Sequence, residues 1–203
     1  MSRPVSTIRT LGIAARLMLV LTVVLGVLYP LLVAGVGHLV LGSQADGSLV
    51  RDRFGTVVGS RLIGQPFSDE AGSPLPRYFQ PRPSAAGDGY DATASGGSNL
   101  GPESAELIED IRERRRAIAS FNDVLEKAVP ADALTASGSG LDPDISRAYA
   151  AIQVQRVARA RGLVPETVRR LVATHTHGPD FGYLGQPRVN VLELNMALDD
   201  LGS

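Results

Sequence analysis

The sequence predicts an α+β chain in which a single N-terminal transmembrane helix precedes one mixed α/β soluble domain. Three observations carry this prediction. No charged residue occurs from Leu17 to Val36, and twenty residues at about 1.5 Å each span about 30 Å, the thickness of a bilayer's hydrocarbon core. Strand-like segments stand at both ends of the remaining chain, around Val57-Val58 and from Val189 to Leu194. Between them, apolar residues recur at helical spacing.

Arg3, Arg9 and Arg16 precede the apolar run without an acidic residue among them, whereas Asp46, Arg51, Asp52 and Arg53 after it mix signs. Basic residues stay on the cytoplasmic side of a span. The expected organisation is therefore a cytoplasmic N-terminus over 1–16, a transmembrane helix over 17–41 and an extracytoplasmic domain over 42–203. A cleaved secretory leader is the alternative, since Ser43-Gln44-Ala45 has the small-x-small form of a cleavage site. Leaders usually carry a shorter apolar region, of about 7–15 residues. Gly26, Pro30 and Ala34 recur at every fourth position, which puts small residues along one face where another helix can approach closely. Glycine and proline are also tolerated in membrane helices without such a role.

Beyond the span, Val50 to Gln65 predicts a hairpin or meander, with Gly59 and Gly64 as turn residues. Pro66 to Gly101 is crowded with Pro, Gly, Ser and Ala and predicts irregular backbone. A loop of that length inside a compact domain is often functional. A helix is expected from Pro102 to about Val129, carried by Leu107, Ile108, Ile111, Ile118, Phe121 and Leu125 and stopped by Pro130. Within it, Asp110 is spaced to pair with Arg114, so Arg114-Arg115-Arg116 reads as a salt-bridged face rather than a phosphate grip. A second helix is expected to open at Asp142 and Pro143, bury Ile145, Tyr149 and Ile152, and close at Gly162. A third runs from Pro165 to about Ala173. A strand over Val189 to Leu194 then precedes a final turn capped by Asn195.

Composition excludes several functions. A net charge of -1 gives no basic surplus for nucleic acid, and the only lysine is Lys127. No cysteine occurs, which removes disulfides, thiolate nucleophiles and cysteine-bound zinc. No phosphate loop, no Asp-Lys-Thr-Gly-Thr segment and no nucleophile elbow is present, so no catalytic residue is assigned. His175 and His177 share a face of an extended strand but lack a third ligand, so no metal site is assigned either. Two glycine-rich segments remain, Ser95 to Gly101 and Thr135 to Asp142. Each stands before an expected helix, where free N–H groups can hold an anion or a tight turn can form.

Several motifs occur in one order: Tyr78-Phe79-Gln80-Pro81-Arg82-Pro83-Ser84-Ala85, Ala94 to Pro102, Val129-Pro130-Ala131-Asp132, Thr135 to Pro143, Gln155 to Gly162, and Gly185-Gln186-Pro187-Arg188-Val189-Asn190-Val191-Leu192-Glu193-Leu194-Asn195. Together with the lone N-terminal span they resemble the C subunit of the Kdp-type potassium-transporting ATPase over nearly the whole chain. Arg147 departs from the pattern, which would have proline after Ile145-Ser146. The resemblance implies a subunit in a bacterial inner membrane whose partners are a channel-like potassium-translocating subunit, a P-type ATPase subunit and a small membrane peptide. It implies no firmly bound cofactor, with ATP entering only through the complex. The expected role is a non-catalytic accessory that stabilises assembly and shapes the outer potassium entrance. The alternative implied by the family is a catalytic chaperone that raises the ATPase subunit's affinity for ATP, with Ser137, Gly138, Ser139 and Gly140 contacting nucleotide. Candidate partner contacts are Gly26, Pro30, Ala34, Ser84, Ser95, Asn99 and Asp142.

Overall fold

The computed structural model describes residues 4–201. The chain divides between Ser48 and Leu49 into two compact units. The first is helical. Helix α1 (Pro4–Val23) passes into a π-helical turn (Val24–Leu28) and then into α2 (Tyr29–Val40), followed by the short α3 (Gly42–Ala45). The Tyr29 N–H reaches the carbonyl of Val24, an i→i+5 bond, in the turn directly before Pro30. Proline has no N–H to give a carbonyl one turn back, and the wider turn accommodates that loss. Thr7–Val40 is long and apolar enough to cross a membrane, and none of it is buried within the chain. Helical backbone thus begins well before the uncharged run, because Arg9 and Arg16 favour helix as well as leucine does. Gly42 to Ser48 belongs with this first unit, and the second begins at Leu49.

The second unit is α+β, as the sequence predicts. It opens on the hairpin β1 (Leu49–Arg51) and β2 (Val57–Ser60), paired antiparallel. Asp52 shapes its turn by accepting the Phe54 N–H at 2.9 Å and the Thr56 N–H at 2.8 Å. From 61 to 104 the backbone is irregular apart from one isolated bridge between Ser68 and Pro74. Helix α4 (Ala105–Asn122), two 3₁₀ turns (Glu126–Ala128 and Ala131–Ala133), strand β3 (Asp144–Ser146), helices α5 (Arg147–Arg161) and α6 (Pro165–Thr174), strands β4 (Thr176–His177) and β5 (Arg188–Asn190), and helix α7 (Val191–Leu201) follow. β5 lies between β3 and β4, antiparallel to both. Ile145 and Val189 from the sheet, Tyr149, Val154 and Val157 from α5, Val168 from α6, and Leu194 and Leu198 from α7 form the core with Phe79.

Four helix boundaries differ from expectation. α4 starts at Ala105, because the Ser104 hydroxyl caps it by accepting from the Leu107 N–H and Pro102 stays outside. It stops at Asn122, because Asp123 takes a left-handed conformation (φ 56°), leaving Leu125 beyond the helix and exposed. α5 opens at Arg147, not Asp142. Residues Asp144 to Ser146 pair with β5 instead, and the Ser146 hydroxyl accepts from the Tyr149 N–H at 3.0 Å. Only Arg188–Asn190 of the last expected strand pairs. Helix α7 then begins at Val191, with the Asn190 side chain accepting from the Glu193 N–H at 3.1 Å. Val191, Leu192, Leu194, Asn195 and Leu198 are buried, a helical stripe that alternation imitates over its first few residues.

Candidate partner-binding site

The irregular segment is held by side chains instead of a sheet. Phe79 is wholly buried, and its backbone N–H and carbonyl are both bonded to the side chain of Asn195, at 2.8 and 2.9 Å. Asn195 is therefore a core clamp on α7 and caps nothing. Gln153 on α5 does the same for Gln80, accepting its N–H at 2.7 Å and donating to its carbonyl at 3.1 Å. The buried Arg156 donates to the carbonyls of Pro76 (2.6 Å) and Tyr78 (2.9 Å), to Asn122 Oδ1 (2.9 Å) and to Gln153 Oε1 (2.6 Å), and stacks over Phe121 at 4.4 Å. Burial pushes its pKa down to about 10, so it stays charged at neutral pH. Its charge is solvated by oxygens of the segment it holds.

This clamped run delivers Arg82 and Ser84 to the two glycine-rich loops. Ser84 Oγ donates to the Gly140 carbonyl at 2.6 Å and accepts from the N–H groups of Ala86 (3.1 Å) and Tyr90 (2.8 Å). Gly96 N–H and Ser95 Oγ both donate to the Ser139 carbonyl, at 2.9 and 3.0 Å. Gly140 has φ 68°, and a Cβ there would lie 2.7 Å from both Ala86 N and the Gly96 carbonyl, so no larger residue fits. Arg82 donates to Asp142 Oδ2 at 2.8 Å and to the Thr135 carbonyl at 3.3 Å. Beneath it, the Tyr90 hydroxyl donates to the Arg82 carbonyl at 2.7 Å. Burial, then the nearby Asp142, pushes that phenol up.

A polar cleft of about 230 Å³ opens beside this assembly, lined by Arg82, Asp132, Asp142, Asp144, Ser146 and Arg188. Its charges are paired across the cleft. Arg188 lies 3.3 Å from Asp144, and Asp132 accepts from both the N–H and the hydroxyl of Ser146 at 2.8 Å. Burial first, and then Asp142, raises the Asp144 carboxyl above the usual aspartate value despite Arg188.

The structure thus brings together Ser84, Ser95, Ser137, Gly138, Ser139, Gly140 and Asp142. Asn99 lies farther along the same loop, exposed and in a left-handed conformation (φ 54°). Gly26, Pro30 and Ala34 lie in the first unit, Gly26 in the π turn and the other two in α2. Neither glycine-rich segment stands directly before a helix. Thr135 to Asp142 leads into strand β3, and Gly101 ends short of the α4 cap at Ser104. Arg114 pairs with Asp110 at 2.7 Å, as the spacing predicts. His175 bonds the Leu171 carbonyl at 2.9 Å and His177 faces Glu193 at 3.7 Å. No grouping that could hold a metal occurs among the described residues. Arg82, Asp132, Gln153 and Arg156 are not marked by sequence reasoning at the residue level, since nothing in their own spacing distinguishes them from surface or core residues.

Residues 11–200 match the family model for KdpC, described as the K+-transporting ATPase c chain. A potassium-transporting ATPase KdpC subunit of Kineococcus radiotolerans is 57% identical over 182 residues, 90% of this chain and 89% of the relative. One from Beijerinckia indica is 51% identical over the same shares of the two chains. Another, from Mycobacterium bovis, is 49% identical over 93% of this chain and 96% of its own length. With the uncharged run from Leu17 to Val36, the interlocked loops and the motif order all within the matched residues, the chain belongs to the KdpC family, the c chains of K+-transporting ATPases.

Proposed function

We propose that the chain is an accessory, non-catalytic subunit of an ATP-driven potassium-import complex, that it stabilises the assembly, and that its second unit shapes the outer entrance to the potassium path. In this reading the N-terminus is cytoplasmic, Thr7–Val40 crosses the bacterial inner membrane once, and the unit from Leu49 onward lies outside the cytoplasm. Its partners are a channel-like potassium-translocating subunit, a P-type ATPase subunit and a small membrane peptide. The observation that carries the reading is the anchor. An apolar helix of 34 residues buries nothing within its own chain, so lipid and other membrane helices must cover it. Nucleotide then belongs to another subunit, because a unit outside the cytoplasm would not meet cytoplasmic ATP.

The test combines capture with topology. A tagged full-length chain, extracted in detergent from cells making the whole system, is expected to bring the potassium-translocating and ATPase subunits with it. The chain has no cysteine of its own, so Ala92→Cys and Glu103→Cys, both at exposed positions, report location without background. Reaction of both with a membrane-impermeant maleimide in intact cells is expected. Protection until the inner membrane is opened would put the domain in the cytoplasm and overturn the reading.

A further inference from the structure

The β1–β2 hairpin covers only one of its faces. Val50 and Val58 are half-buried, and a Cβ on Gly59 would lie 2.9 Å from Leu192 Cδ2, so that side closes on α7. The opposite side is open, and the tip, though exposed, borders with Val58 a cleft whose far wall is Leu192, Met196, Asp199 and Asp200 of α7. Leu49 is 49% exposed, Val57 43%, Phe54 78%, and Leu62, just after β2, 63%. Arg51 and Arg53 are exposed among them, and the Arg53 guanidinium lies 4.9 Å from the centre of the Phe54 ring. Between Leu49 and Ile63 there are three arginines, Arg51, Arg53 and Arg61, against the single acid Asp52. Asp52 spends one carboxylate oxygen on the turn, and Arg61 bonds Glu193 at 2.7 Å.

We propose that this hairpin is a lipid-binding element whose tip and open face rest on an anionic phospholipid surface. Apolar side chains fringed by arginine suit the boundary between head groups and acyl chains, where the rings and aliphatic groups bury and the guanidiniums meet phosphates. Chain continuity selects this occupant. Leu49 follows Val40, the last residue of the span, by nine positions, a reach of about 30 Å at full extension. The intervening residues are more compact than that, folded into α3 and a turn in which the Ser48 N–H bonds the Ser43 carbonyl at 2.7 Å. The proposal rests on the anchor reading above.

The sequence contains no tryptophan, which makes the test free of background. The full chain carrying Phe54→Trp is reconstituted in nanodiscs of phosphatidylcholine with phosphatidylglycerol, with and without brominated acyl chains. Val164→Trp, at a position 67% exposed, reports a lipid-free surface, and Leu32→Trp reports insertion of the span. Bromolipid quenching at Phe54→Trp is expected to exceed that at Val164→Trp by about twofold or more. It is expected to fall when phosphatidylglycerol is omitted or when Arg51→Gln and Arg53→Gln are added. Quenching at Leu32→Trp with none at Phe54→Trp overturns the hairpin proposal and leaves the anchor standing. The same outcome with Phe54→Trp shielded from iodide only in the assembled complex also overturns it, in favour of a partner protein. Absence of quenching at both Leu32→Trp and Phe54→Trp overturns hairpin and anchor together.

Discussion

Two glycines a single residue apart illustrate how differently neighbouring positions can be constrained. Gly140 combines a left-handed backbone with backbone atoms of Ala86 and Gly96 at 2.7 Å from any added Cβ, whereas nothing lies within 4 Å of a Cβ on Gly138. Left-handed backbone costs an L-residue about 1–2 kcal/mol, and the overlap with backbone atoms adds to it. Gly140→Ala is expected to lower stability by about 2 kcal/mol or more, and Gly138→Ala by less than about 0.5. Thermal midpoints of the detergent-solubilised full chain, read beside growth on limiting potassium, check this. Growth should fall with the midpoint for Gly140→Ala and hold for Gly138→Ala, and equal effects would contradict the interlock. The composition of the segment 135–142 made a turn or contact loop legible. It could not say which glycine is crowded, because Ser84, Ala86 and Gly96 reach it from more than forty residues away. Asn99, also at positive φ, would mix backbone strain with any loss of contact if substituted. Ser137, which has a negative φ, probes contact more cleanly.

Among the elements, periodicity finds α4, α5 and α6 but misplaces both ends of α4 and the start of α5, and it reads the first turn of α7 as strand. Apolar spacing persists past Asn122 into Leu125, and β3 fits the first turn of α5 by spacing alone, because short apolar runs fit both periods. The deciding groups are single side chains, Ser104, Ser146 and Asn190, each accepting an N–H three residues on. In the first unit the small residues Gly26, Pro30 and Ala34 straddle the boundary between the π turn and α2. A Cβ on Gly26 would meet only Thr22 Cγ2, at 3.9 Å, so leucine there costs its own helix little. Gly26→Leu with Ala34→Leu is therefore expected to leave membrane insertion intact and to reduce co-purification of the other subunits several-fold, about 1–2 kcal/mol of lost helix packing. Unchanged capture of the double variant would show that this face meets only lipid.

For the whole molecule, the segment order and the lone span identified the family, and composition excluded nucleic acid and cysteine chemistry. The polar core of the second unit was not legible. Arg156, Gln153 and Asn195 look like surface residues until the chain from Pro76 to Gln80 is laid across them. The same whole-chain view bears on catalysis. The full-length chain, purified free of contaminating ATPases, is expected to show no potassium-stimulated ATP hydrolysis, and phosphate release at more than background rates would contradict that. The interlocked loops also set an order of events in time. Ser84 and Gly140 are 56 residues apart, and Ser95 and Ser139 are 44 apart, so the earlier loop emerges from the ribosome well before its mate exists. At about 5–20 residues per second, 44 residues take about 2–9 s. Throughout that interval residues 61–104 have no helix or strand to hide in, which makes this stretch the first place where a quality-control protease can cut a nascent chain.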